Sequence, residues 1–126
     1  MANRYELFGR AIGLFARGKF EEAIAAYRAV LELDPRYTEA LHGLAMSQFQ
    51  LERTDEAIAT ARKIVEIDPD DPFAHTSLSM FYQRKGMIPE AEQEQAQARV
   101  AEWKRELRDR GEGSGGKPVP GLGEGT

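Results

Sequence analysis

The chain has 126 residues, 41 % hydrophobic and 30 % charged, with a net charge of −4 and no cysteine. That length and apolar content suit one soluble domain with its own core, while the acidic balance argues against a nucleic-acid partner and the missing cysteines exclude disulfide and thiolate chemistry. No segment approaches the roughly 20 apolar residues that cross a bilayer, and MANRYELFGRAIGLFARG has no unbroken apolar core or cleavage site, so a cytoplasmic protein with no membrane partner is expected.

Six segments carry helical periodicity, near 3–17, 20–33, 37–51, 54–67, 72–85 and 89–110. In the first, Asn3 and Glu6 have the spacing of a capping box, and Gly18 supplies the stop. The second ends at Asp34-Pro35 and the fourth at Asp68-Pro69, since proline cannot continue a helix. Asp71-Pro72 opens the fifth as an N-cap with proline at the first helical position, and Gly86 and Pro89 bracket the turn into the sixth. No stretch alternates as a strand does, so the fold class is all-α. The tail 111–126, GEGSGGKPVPGLGEGT, has seven glycines in sixteen residues and is expected to be disordered.

The chain also repeats itself. Leu31-Glu32-Leu33-Asp34-Pro35 returns as Val65-Glu66-Ile67-Asp68-Pro69, and Glu22-Ala23-Ile24-Ala25 returns as Glu56-Ala57-Ile58-Ala59, both at an offset of 34 residues. The matching positions are Leu7, Ala11, Leu14, Gly18, Phe20, Ala23, Tyr27, Val30 and Pro35 in the first unit. They are Leu41, Leu44, Ala45, Ala57, Ala61, Ile64 and Pro69 in the second, and Leu78, Tyr82, Gly86, Ala91 and Ala98 in the third. In period and pattern the chain resembles the tetratricopeptide repeat (TPR) family. The resemblance implies an α-solenoid of three stacked helix-turn-helix hairpins in a domain spanning 1–110, with repeats near 4–37, 38–71 and 72–105. Two departures stand out. Glu52 replaces the turn glycine of the second hairpin, and Glu102-Trp103 stands where the third Asp-Pro is due. Without that proline the last helix should run on to about Arg110 as a cap, roughly 33 Å long.

The resemblance further implies that the first helix of each hairpin lines a concave groove. One stripe of each first helix (Leu7, Ala11 and Leu14 in the first) packs into the stack, and a second stripe, spaced 3-4-3, faces the groove. The second stripe is Tyr5, Phe8, Ile12 and Phe15 in the first repeat, Glu39, His42, Met46 and Phe49 in the second, and Phe73, Thr76, Met80 and Gln83 in the third. A solvent-facing groove so rich in aromatic and methionine side chains suits an apolar or amphipathic segment of a partner protein. On this reading Met46, Phe49, Met80, Ile12 and Phe15 make the main contacts, His42 and Glu39 orient the partner, and Phe49→Arg abolishes capture without altering the melting temperature. Gly9 and Gly43 either admit a partner's backbone or relieve crowding. Some members of the family clamp the C-terminal carboxylate of chaperone peptides with lysine, asparagine and arginine. The corresponding residues here are Phe8, Ile12, Gly43, Phe73 and Ser77, which offer a carboxylate no charge-assisted bond.

Chemistry of other kinds is not expected. His42 and His75 lie in different repeats and fall short of the three or four ligands a metal wants. Ser79 follows His75 by one turn, but no acid is placed to orient the histidine. Glu90, Glu92 and Glu94 and the basic run Lys104, Arg105, Arg108 and Arg110 read as solvated faces. No catalytic residue, metal or cofactor is expected. The expected function is a non-enzymatic adaptor or scaffold. Two alternatives stay open: self-assembly as a homo-oligomer through the groove or the uncovered first helix, and carriage of an apolar small molecule.

Overall fold

The computed structural model describes residues 2–111. They form six helices: α1 (Arg4–Ala16), α2 (Phe20–Leu33), α3 (Thr38–Gln50), α4 (Thr54–Ile67), α5 (Pro72–Arg84) and α6 (Ile88–Asp109). The tail expected to be disordered lies, beyond Gly111, outside the described residues. Consecutive helices pair as hairpins, α1 with α2, α3 with α4 and α5 with α6, and each hairpin packs on the next. The expected all-α solenoid is what the chain forms.

The local signals act where the sequence puts them. Asn3 and Glu6 close a reciprocal capping box at α1, and the Asp71 carboxylate accepts the backbone N–H groups of Phe73 and Ala74 at the start of α5. All three hairpin turns have one geometry. The N–H groups of Lys19, Arg53 and Met87 donate to the carbonyls of Leu14, Gln48 and Tyr82, each at 2.9 Å. Each turn also needs a residue at positive φ: Gly18 and Gly86 at 76°, and Glu52 at 60°. The second turn is therefore standard in shape and unusual only in the residue it forces into that shape. With no Asp-Pro at residues 102–103, α6 runs for 22 residues to Asp109.

Small residues set the spacing of the layers. Ala11, Ala23, Ala40, Ala57, Ala61 and Ala74 are all fully buried. The tightest contact is at Gly43, where a Cβ would fall 2.1 Å from Cζ of Tyr27, a ring that is itself buried. Gly43 thus relieves crowding between hairpins, whereas a Cβ on Gly9 would meet nothing within 4 Å. The layering stops at both ends. Glu6 and Arg10 are exposed where Ala40 and Leu44, then Ala74 and Leu78, are buried. Gln95 and Arg99 are exposed where Tyr27 is buried and Leu31 half-buried.

Glycine adopts positive φ without the steric cost that a Cβ imposes, so Glu52→Gly is expected to raise stability by about 1 kcal/mol. Urea unfolding measures this, with an upward midpoint shift and an unchanged slope as the expected result.

Candidate functional site

The stripes of α1, α3 and α5 expected to face the groove present three kinds of residue. Four apolar side chains are open to solvent: Tyr5 at 61 %, Ile12 at 46 %, Phe73 at 67 % and Met80 at 37 %. They sit two repeats apart in two pairs, Tyr5 with Phe73 and Ile12 with Met80, on α1 and α5. Glu39, Thr76 and Gln83 are exposed polar residues beside them, and the Thr76 hydroxyl donates to the carbonyl of Pro72 at 2.9 Å.

Phe8, Phe15, His42 and Met46 are half-buried. Phe8 leans on Tyr37 and Tyr27 with ring centroids 5.1 and 6.1 Å away, and Phe15 meets Phe20 edge-on at 5.3 Å. Met46 packs against the core formed by the second and third hairpins. His42 bonds through Nε2 to Asp71 at 3.0 Å and turns its edge toward the Phe73 ring. Burial alone would raise the Asp71 pKa, but the bonds from His42 and from two backbone amides outweigh it and hold the carboxyl below its ordinary value. His42 is therefore committed to joining α3 to the start of α5.

Phe49 departs from the expectation. It is 8 % exposed and stacks on Phe81 at 4.8 Å, and the Arg84 guanidinium lies over its ring at 4.6 Å. It is a core residue, because α5 brings both covering side chains to it. The sequence reading could not see this, since Arg84 and Phe81 belong to the next repeat.

Two further readings are corrected. His75 does have an acid partner: its Nδ1 donates to Glu94 at 2.8 Å, and its Nε2 donates to the carbonyl of Pro69 at 2.7 Å. Glu94 is thus sheltered against α5 rather than solvated. Both ring nitrogens are engaged, and the two bonds favour the imidazolium form. Neither nitrogen is free to take a proton from Ser79, and the arrangement is structural. Lys104, Arg105 and Arg108 are likewise not a bare solvated face, because they pair with Asp68 and Asp70 in the α4–α5 loop. Among the described residues, no group of three or more His, Cys, Asp or Glu side chains is placed to hold a metal. No helix among them is long and apolar enough to cross a membrane.

The family model for the tetratricopeptide repeat matches residues 14–81. The chain belongs to the tetratricopeptide repeat family. No curated protein matches the chain. Among solved structures it is similar to MamA, at 23 % identity and a TM-score of 0.78, over 82 % of this chain and 60 % of MamA. It is similar to the Yersinia enterocolitica type III secretion chaperone SycD in complex with a peptide of the translocator YopD, at 24 % identity and a TM-score of 0.75, over 84 % of each chain. A third likeness is to the second TPR domain of Spaghetti (RPAP3) bound to an HSP90 peptide, at 20 % identity and a TM-score of 0.74, over 79 % of this chain and 92 % of that one. At these identities the likeness shows the fold.

Two measurements follow from the geometry. Phe49→Arg strips a stacked ring from the core and buries a charge, so it is expected to cost about 3 kcal/mol or more in urea unfolding. The second concerns His75. Burial lowers its pKa, but the bonds to Glu94 and Pro69 outweigh burial and raise it above 6.5. A raised folded pKa gives stability that is complete below the unfolded value and lost as pH climbs through the folded one. Stability is therefore expected to fall as pH rises from 6.5 through the raised pKa of folded His75. The double variant His75→Leu/Glu94→Ala, which restores the Leu7 and Ala26 of the first repeat, should show no such fall.

Proposed function

We propose that the chain is a protein-interaction module that holds an apolar or amphipathic segment of a partner protein in its concave groove. The observation that carries this reading is the quartet Tyr5, Ile12, Phe73 and Met80, four large apolar side chains left open to water on one face. Adjacent hairpin axes lie about 10 Å apart, so each pair spans about 20 Å. That is the reach of about six extended residues or about thirteen helical ones. The fold is that of proteins seen with bound peptides, SycD with a YopD peptide and RPAP3 with an HSP90 peptide. A carboxylate-terminated ligand is disfavoured here, because Phe8, Ile12, Gly43, Phe73 and Ser77 offer no cation.

The other readings draw less support. End-to-end self-assembly would press Glu6 and Arg10 of one copy against Gln95 and Arg99 of the next, with little apolar area to bury. The cavity beside Met80, about 410 Å³, is lined mainly by polar and charged residues, among them Gln83, Gln95, Arg99 and Glu102. An apolar small molecule would want the reverse.

Ile12→Arg/Met80→Arg places charge on the open quartet without entering the core. Proteins retained from a lysate by the wild-type chain are expected to be lost from this variant, whose melting temperature stays within about 2 °C. Equal retention by both would overturn the groove reading.

A further inference from the structure

The run-on of α6 sorts its charges onto two faces. Lys104 and Arg108 meet Asp70 at 3.4 and 3.8 Å, and Arg105 meets Asp68 at 3.8 Å. Glu102, Glu106 and Asp109, spaced by four and three residues, share the other face. They are exposed and have no ion pair to a described residue. They rim a cavity of about 350 Å³ whose wall is Pro72 and Phe73. Arg105 also lines this cavity, but its guanidinium is directed to Asp68. The loop thus takes up the cations of the run-on and leaves its carboxylates around an aromatic ring that is 67 % exposed.

Phe73 belongs at once to this cavity and to the open quartet, so the cavity continues the groove. Glu102 joins it to the larger cavity beside Met80. Ser79 lines that larger cavity, and its buried hydroxyl has no hydrogen-bond partner. Aromatic floor and acidic rim make one recognition surface. Its charge excludes phosphate-rich ligands and complements lysine and arginine.

We propose that the run-on of α6 builds an acidic subsite at the C-terminal end of the groove, which takes a basic stretch of the partner's segment next to an apolar anchor seated on Phe73. This rests on the groove reading and specifies the chemistry of its ligand. The segment would carry at least two lysine or arginine residues beside an aliphatic or aromatic one. Glu102, Glu106 and Asp109 hold the cations.

The test uses the full chain and a displayed library of random twelve-residue peptides. Selected peptides are remade and titrated against the wild type, Glu102→Gln/Glu106→Gln/Asp109→Asn, Phe73→Ser and Ile12→Arg/Met80→Arg. All of these changes fall on exposed side chains. The expected result is enrichment of lysine and arginine beside an apolar residue, and affinity that falls about tenfold both in the triple amide variant and between low and high salt. Peptides that need Ile12 and Met80 but show no basic bias, or bind the triple variant unchanged, would overturn the subsite and leave the groove reading standing. If no selected peptide depends on Ile12, Met80 or Phe73, both fall.

Discussion

Ala23, Ala57 and Ala91, one in the second helix of each hairpin, are buried to 1 % or less, and Ala11, Ala45 and Ser79 oppose them from the first helices at 3 % or less. Side chains this small let the two helices of a hairpin cross closely, and a larger residue at any of these positions would force them apart. Such a hairpin cannot bury its own apolar face. Ile24, Tyr27 and Val30 share one core cluster with Ala40 and Leu44 of the following hairpin, which completes their cover. Stacking is therefore an obligation imposed by the crossing, and the 34-residue period is its imprint on the chain. The Tyr27–Gly43 contact shows how little slack remains between layers.

Those layers end by substitution. Where the inner repeats place alanine and leucine, α1 places Glu6 and Arg10, and α6 places Gln95 and Arg99. The absent third Asp-Pro does more than stop the repeat. It lets α6 continue beside the α4–α5 loop, whose Asp68 and Asp70 then gain cationic partners. Exposed pairs of this kind contribute little each, and their consequence is mainly geometric. They fix which side of the run-on faces the loop, and so which side faces Phe73.

The helices were legible because caps, prolines and periodicity are local signals, each acting within one turn of the residue that carries it. The groove was only partly legible. Tyr5, Ile12, Phe73 and Met80 are open as the 3-4-3 spacing implies, yet Phe49 on the same stripe is closed by Phe81 and Arg84. Spacing reports the side of a helix a residue occupies, but exposure depends on how far the neighbouring repeat's side chains reach. Gln83, the register counterpart of Phe49, has no following hairpin and stays exposed. The His75–Glu94 bond escaped the sequence reading for a related reason. The two residues stand 19 positions apart, and only the folding of α6 against α5 brings them together.

The quartet is tied to the fold only at its edges: the Arg4 guanidinium donates to the Tyr5 hydroxyl at 2.9 Å, and the Phe73 and His42 rings meet at right angles. Leu33, Ile88 and Val100 are also exposed, but they are scattered over the second helices, as single apolar residues commonly are on protein surfaces. Tyr5, Ile12, Phe73 and Met80 instead occupy equivalent register positions on first helices that share one face. The stack does not need Tyr5 and Phe73 to be apolar, because Glu39 stands between them in the same row and the layers close beneath it. A polar residue would serve folding at those two places as Glu39 does between them. The apolar character of Tyr5 and Phe73 is therefore not demanded by their row, and the proposed partner segment would account for it.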